Sequence, residues 1–315
     1  MGPKDFAVES IELKKRYESG HRTCPGCAIP LIVRTVLASI NRPVVIVNAT
    51  GCMEVTSTTY PFTSWNVPFI HTAFANASAT ASGIEKAITA LKKKGIVTED
   101  IAIVVFGGDG GTYDIGLQSL SGALERGHDF LYITYDNEAY SNTGNQRSAA
   151  TEKGTKTTTT PVSKYSYGKL TFRKNLTKII AAHNIPYVAQ TSIAFLDDFS
   201  SKVKKAMTFK GPKFINVLSP CTRYWGIEEK QTIEIARLAV ATNFWPLYEI
   251  YDGTKYIINT KPTKTPITEF LGKQSRFKHL FSDDFKGVID DIQEKTDKEW
   301  EYLLKLEEIS SDNKE

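Results

Sequence analysis

Two constellations in this chain have residue types and spacing that can do chemistry: four cysteines and a pair of acidic turns. Cys24 and Cys27 share a Cys-Pro-Gly-Cys turn. Cys52 ends Ala49-Thr-Gly-Cys52, and Cys221 sits in Ser219-Pro-Cys-Thr-Arg223. In a cytosolic chain four thiols point to metal, catalysis or inert packing before disulfides. Four thiolates suit a [4Fe–4S] cluster or a tetrahedral zinc, and spacing alone does not separate them. A thioredoxin-like pair is disfavoured, because no clean strand–helix context follows Cys27. The acidic turns are Gly108-Asp-Gly-Gly111 and Asp136-Asn-Glu-Ala139. Glycines let backbone approach a phosphate closely, and a following helix turns its N-terminus toward the anion. Asp109, the Asn137 side chain and a carbonyl near Ala139 offer hard oxygens for magnesium. Taken alone, Gly-Asp-Gly-Gly is also an ordinary tight turn. Dinucleotide binding is the rival, but no Gly-x-Gly-x-x-Gly opens a first strand–helix unit.

These residues need strands and helices to bring them together. Val44–Asn48, Ile101–Phe106, Phe130–Tyr135, Tyr187–Gln190 and Lys213–Leu218 read as strands. Ala73–Lys94, Ile115–Arg126, Asn175–His183 and Asp197–Met207 read as helices. Alternation of the two predicts an α/β fold, a doubly wound and mostly parallel sheet with helices on both faces. Ligands of such sheets sit outside the carboxyl ends of the strands. Asp109, Asn137, Cys52 and Cys221 all follow strand ends, so one sheet edge is expected to gather them. The Thr-rich stretch 143–168 has no periodicity and reads as a solvated loop, with contact to coenzyme A phosphates or ferredoxin as the other option. The expected organisation is a cofactor- and cluster-binding domain over 1–250 and a charged, partner-contacting C-terminal extension over 251–315. The extension ends in an amphipathic helix over Asp283–Ile309.

Bulk properties exclude several classes. The chain has 315 residues, 41% hydrophobic and 23% charged, with a net charge of +4. That length is ample for a buried core, and the charge is too small for nucleic acid to be the main partner. No apolar run is long enough for a membrane span. Met1–Glu12 lacks the apolar core of a secretion signal, so a cytoplasmic protein is expected.

Asp109 and Asn137 together resemble the thiamine pyrophosphate motif, a Gly-Asp-Gly followed one helix and one strand later by Asn. Over most of residues 10–250 the chain resembles the β subunits of heteromeric pyruvate (2-oxoacid):ferredoxin oxidoreductases. The stretches that carry the likeness are Gly20-His-Arg-Thr-Cys-Pro-Gly-Cys27, Ala49-Thr-Gly-Cys-Met-Glu-Val55, Tyr60-Pro-Phe-Thr-Ser-Trp65 and Phe106–Gln118. To these are added Asp136-Asn-Glu-Ala-Tyr140, Asn142-Thr-Gly144, Ala181–Gln190 and Leu218-Ser-Pro-Cys221.

The resemblance implies a thiamine-diphosphate-binding fold with one [4Fe–4S] cluster on Cys24, Cys27, Cys52 and Cys221, and Mg2+ on Asp109, Asn137 and the Ala139 carbonyl. It implies cofactor contacts from Gly51, Gly108, Gly110, Gly111 and Thr143, with Asn142 and Thr50 at the reacting centre. The implied reaction is oxidative decarboxylation of pyruvate to acetyl-CoA and CO2, reversible, with electrons passing to ferredoxin. The implied partners are an α subunit supplying the catalytic Glu, γ and δ (ferredoxin-like) subunits, soluble ferredoxin, coenzyme A and the 2-oxoacid. Three positions depart from the commoner family pattern: Ile29, Ala75 and Asn145. They leave oxalate or another 2-oxoacid open as substrate. A non-redox thiamine enzyme and a zinc-stabilised assembly protein are the other two readings. His21 and His71 are read as either ligand-facing or structural, and His128 and His183 as packed or capping. Trp65 and Trp225 read as core or interface aromatics, and Arg147 and Arg223 as surface charges.

Overall fold

The computed structural model describes residues 16–312, so the expectation for Met1–Glu12 lies outside the described residues. In chain order the strands are β1 (Val44–Ala49), β2 (Phe69–Thr72), β3 (Ala102–Gly108), β4 (Leu131–Asp136), β5 (Val162–Ser163) and β6 (Ser166–Tyr167). They continue as β7 (Tyr187–Ser192), β8 (Lys213–Leu218), β9 (Tyr248–Tyr251) and β10 (Lys255–Ile258). Eight of them form one sheet in the order β2-β1-β3-β4-β8-β7-β9-β10, and β5–β6 is a separate two-stranded ribbon. The six strands from β2 to β7 pair in parallel, and β9 and β10 add antiparallel at one edge. Every residue of β4, β7 and β8 is buried. That is the signature of a parallel sheet covered on both faces, and it encloses polar residues such as Thr134, Thr191 and Asn216 along with the apolar ones.

Helices α1 (Ile29–Ala38), α2 (Cys52–Ser57), α3 (Ala77–Lys93), α4 (Leu117–Glu125) and α5 (Leu176–Ala181) occupy the first part of the chain. Then follow α6 (Leu196–Ala206), α7 (Thr222–Trp225), α8 (Thr232–Ala241), α9 (Ile267–Leu271) and α10 (Lys286–Asp312). Two apolar cores result, one on each face. The first joins Ile32 and Val33 of α1, Val203 of α6, Ile235 of α8 and Phe270 of α9 to Ile46, Val104 and Ile215. The second joins Ala81 of α3, Leu120 of α4 and Ile180 of α5 to Val47, Val105 and Phe214. The period-2 alternation along each strand assigns neighbours such as Ile46 and Val47 to opposite cores.

The expected strands and helices are present, with shifted ends. The helix expected from Ala73 begins at Ala77, because Ala73–Asn76 forms a turn. The helix expected from Ile115 begins at Leu117, behind a π-helical turn over Gly110–Ile115. Asn175 caps α5, accepting from Lys178 N at 3.1 Å. Two larger corrections concern the expected organisation. The main sheet does not stop at residue 250: β9 spans Tyr248–Tyr251 and pairs with β10, so a boundary there cuts a hydrogen-bonded strand pair. Stretch 143–168 is only partly solvated: Lys156, Thr158, Thr159 and 163–165 are among its exposed residues, but 148–155 packs inward. Ser148, Thr151 and Thr155 are fully buried, and its threonines bond back to the loop's own backbone, as Thr155 Oγ1 does to Glu152 O at 2.7 Å. Hydroxyls replace the missing secondary-structure hydrogen bonds there.

Candidate functional site at the carboxyl edge of the sheet

Strand β1 has β2 on one side and β3 on the other, so the strand order reverses between β1 and β3. A doubly wound sheet opens a crevice at such a point. Thr50 leaves β1 there and Asp109 leaves β3. Pairing of β3 with β4 sets Gly108 beside Tyr135, which places Asn137 next to Asp109. A cavity of about 130 Å³ lies at this edge. Thr50, Gly51, Gly108, Asp109, Gly110, Gly111, Asn137, Ala139, Asn142 and Thr143 all line it, together with Cys52. Phe74, Tyr135, Tyr140 and Ser141 line it as well and carried no sequence signal of their own.

The oxygens of this cavity are set for a cation. One amide heavy atom of Asn137 lies 3.2 Å from Asp109 Oδ1, 2.9 Å from Ala139 O and 2.8 Å from Ser141 Oγ. Set as nitrogen, that atom donates to all three. Set as oxygen, it completes a cup of three oxygens with Asp109 and Ala139. Neighbouring ligands of an octahedral Mg2+, each about 2.1 Å from the ion, lie about 3 Å apart, which is the spacing seen. Asp109 is buried and held by a neutral donor, Ser148 Oγ, at 2.5 Å. Burial and the neighbouring Asp136 carboxylate push its carboxyl well above the usual carboxylate range. A buried carboxylate so placed calls for a counter-charge.

Gly110 shows how tight the packing is. A Cβ there would stand 2.4 Å from the Tyr140 ring, whose hydroxyl donates to Gly110 O at 3.1 Å and Asp114 Oδ2 at 3.0 Å. Gly110→Ala is expected to cost ~1–3 kcal/mol by overpacking, read as a lower midpoint in denaturant unfolding. An unchanged midpoint would mean that the ring moves freely.

The four cysteines line a second, adjoining cavity of about 290 Å³. Cys24 and Cys27 face each other across a tight turn, with Cys27 N donating to Cys24 O at 3.1 Å. Gly26 occupies that turn at φ +69°, where a Cβ would strike the Glu229 backbone at 2.5 Å. Cys52 opens α2 just past β1. Cys221 is the N-cap of α7 just past β8, its Sγ accepting from Tyr224 N at 3.5 Å. Helix α1 does follow Cys27, but no strand precedes the pair among the described residues. Burial pushes the Cys27 and Cys52 thiols up to about 12 and raises that of Cys221. Cys24 is exposed. Among the described residues no three thiols, carboxylates or imidazoles are gathered closely enough to grip a single ion. Cys52, Asn137, Ser141 and Asn142 line both cavities and form the wall between them.

The remaining candidates divide. His71 Nε2 is 2.7 Å from Thr50 Oγ1, so it supports the rim of the first cavity. His21 contacts Thr23 Oγ1 at 2.8 Å and stacks on Tyr17. His128 is packed against Glu85 at 3.1 Å, and His183 bonds Ile179 O and Ser121 Oγ, so both are structural. Trp65 is core, donating to Ser57 Oγ at 2.8 Å. Trp225 is core too, but its Nε1 donates to Asn137 O at 2.9 Å and so fixes a site residue. Arg147 and Arg223 are exposed, the latter at the mouth of the cysteine cavity. Ile29 and Asn145 line the cysteine cavity rather than the Asp109 cavity. Asn145 stands at φ +63°, a left-handed conformation that asparagine tolerates better than most residues.

The chain is an α/β protein with a cavity at the switch point of its sheet, and residues 49–217 match the family described as thiamine pyrophosphate enzyme, C-terminal TPP binding domain, which gives its class. The pyruvate synthase subunit PorB of Thermotoga maritima is 51% identical, with 98% of this chain and 97% of that one aligned. The ketoisovalerate oxidoreductase subunit VorB of Pyrococcus abyssi is 43% identical over 95% of this chain and 96% of its own. A solved 2-oxoglutarate:ferredoxin oxidoreductase from Magnetococcus marinus shares the fold at a TM-score of 0.56 and 22% identity, covering 91% of this chain and 95% of that one. The chain belongs to the thiamine pyrophosphate-dependent 2-oxoacid:ferredoxin oxidoreductases, as a β subunit of the PorB kind. Among the described residues no helix is long and apolar enough to cross a membrane.

Proposed function

We propose that this chain, with its partner subunits, oxidatively decarboxylates pyruvate to acetyl-CoA and CO2, reversibly, and hands the electrons to ferredoxin. The observation that carries this is the shared wall: one cavity holds the oxygen cup, the other the four thiols, and Cys52, Asn137, Ser141 and Asn142 belong to both. Asp109, Asn137 and the Ala139 carbonyl would hold Mg2+, which would offset the negative charge of the cofactor's diphosphate. Gly108, Gly110 and Gly111 let their backbone approach that diphosphate, and Thr50, Asn142 and Thr143 face the same space. Bound thiamine diphosphate supplies the electron sink that a 2-oxoacid needs to lose CO2.

Cys24, Cys27, Cys52 and Cys221 fit one [4Fe–4S] cluster. A single zinc, bonded at about 2.3 Å, would draw four sulfurs to within about 4 Å of one another. The hollow of about 290 Å³ favours the larger group. A cluster supplies one-electron steps next to the cofactor.

The site is half a site. Its cavity of about 130 Å³ is below the ~300 Å³ at which ligand pockets usually begin. None of the described residues lining it is a glutamate. A partner α subunit is therefore proposed to close it and to supply the Glu for the aminopyrimidine ring. Ferredoxin-like γ and δ subunits, soluble ferredoxin and coenzyme A complete the assembly, in the cytoplasm. The C-terminal part beyond residue 250 is proposed to contribute to partner contact.

The pyruvate synthase subunits of Thermotoga maritima and Methanocaldococcus jannaschii, each 51% identical, favour pyruvate. The test is a panel of pyruvate, 2-oxoglutarate, branched 2-oxoacids and oxalate on the anaerobically co-purified complex, with and without coenzyme A, alongside metal analysis. Coenzyme A-dependent ferredoxin reduction fastest with pyruvate, and about four irons per β subunit beyond those of the ferredoxin-like subunit, is the expected result. Zinc without iron would overturn the redox assignment, and a preference for another acid would overturn the substrate.

A further inference from the structure

We propose that Arg276, from the chain beyond the expected domain boundary, is a positioning residue for the Mg2+ and diphosphate loop. It acts through Glu138, the residue between the two proposed metal ligands Asn137 and Ala139. Glu138 is fully buried at φ +66°, a conformation that a side chain with a Cβ adopts only under constraint. Its backbone is tied on both sides: its N–H donates to Asp136 Oδ1 at 3.0 Å, and its carbonyl accepts from Thr151 Oγ1 at 2.6 Å. Its carboxylate lies between two arginines: Arg173 Nη1 donates a hydrogen bond to it at 3.0 Å, and Arg276 Nη1 pairs with it by charge at 2.7 Å, a contact without hydrogen-bond geometry.

Arg276 reaches the loop a second way. Its guanidinium lies 4.0 Å from the centre of the Trp225 ring, and Trp225 Nε1 donates to Asn137 O. One buried cation thus fixes the carboxylate of Glu138 directly and the backbone of Asn137 through an indole. Arg276 Nε is itself aimed by Gln274 Oε1 at 2.9 Å. Arg173 has a competing task, bonding Asp136 Oδ2 at 2.6 Å, so Arg276 is the cation that Glu138 does not share with Asp136. Outer-shell groups of this kind set the aim of metal ligands and their loss typically costs ~10–100-fold in metal affinity.

The inference rests on the proposed Mg2+ role of Asp109 and Asn137, and the experiment separates the two. Mg2+ titrations at fixed thiamine diphosphate, followed by calorimetry on the co-purified complex, would compare Arg276→Met, Arg276→Lys, Glu138→Gln and Asp109→Asn. Arg276→Met keeps the apolar stem on Trp225 and removes the charge. It is expected to raise the Mg2+ requirement ~10–100-fold, with kcat at saturating Mg2+ close to wild type, iron content unchanged, and Arg276→Lys restoring part of the loss. Glu138→Gln, which keeps the shape of the side chain, should show the same Mg2+ shift and serves if Arg276→Met does not fold. Wild-type Mg2+ affinity in both variants, with Asp109→Asn impaired, overturns the role of Arg276 alone. Wild-type affinity in Asp109→Asn overturns the underlying metal site.

Discussion

Cys221→Ser in the intact complex is expected to lose ferredoxin reduction while thiamine diphosphate still binds. Serine is chosen because Cys221 has a structural task, capping α7 through Tyr224 N, and a hydroxyl is a better cap than a thiol. The fold around it should therefore stand. A serine oxygen is a poor replacement for a soft thiolate on iron, and Cys221 lines the cysteine cavity without touching the other one. The loss should exceed the ~10–100-fold typical of outer-shell changes, with visible absorbance and iron falling together. Cys52→Ala is a less selective probe, because Cys52 also lines the Asp109 cavity and its removal should disturb both. Normal ferredoxin reduction by Cys221→Ser would end the cluster assignment.

Asp109→Asn should separate binding from stability in opposite directions. The Asp109 carboxyl is raised by burial and by Asp136, so the cation-free fold prefers it protonated. Stability from such a group is full below the ordinary carboxylate pKa and is lost as pH rises through the raised one. At neutral pH the cation-free site therefore strains the fold, and Asn relieves it. The cofactor-free variant should melt higher than the cofactor-free wild type. Adding Mg2+ and thiamine diphosphate should raise the wild-type melting temperature and leave the variant unmoved. In the wild type, Mg2+ binding must displace the proton, so affinity should weaken as pH falls. Equal melting curves with and without cofactor in the wild type, or a cofactor-induced rise in the variant, would contradict the assignment.

Much of the site is legible in the sequence because it follows strand ends. Asp109, Asn137, Cys52 and Cys221 each stand one to three residues past a strand of apolar, β-branched residues, and the parallel pairing then makes their neighbourhood automatic. Lys213–Leu218 is found at its expected bounds because all six residues are buried, the Lys213 ammonium at its start being paired with Asp129. What the sequence does not announce comes from folding back. Strand β2 is only four residues long and half exposed, so it has no apolar run to reveal it. Strands β9 and β10 lie in a stretch whose charge reads as a surface extension. Ser148, Thr151 and Arg276 reach the site from segments without periodicity, and no local pattern tells a hydroxyl that will meet Asp109 from one that will face water. The departures at Ile29 and Asn145 line the cavity of the four thiols and not that of Asp109.

The position of β8 beside β4 has a consequence for how the protein is made. Three of the thiols emerge within the first sixth of the chain, but the fourth arrives on a strand threaded into the middle of the sheet after β7 has been synthesised. Until that late strand docks and Cys221 follows it, no more than three of the four thiols can be brought together. Any inorganic centre that requires all four sulfurs must be installed after translation of this region.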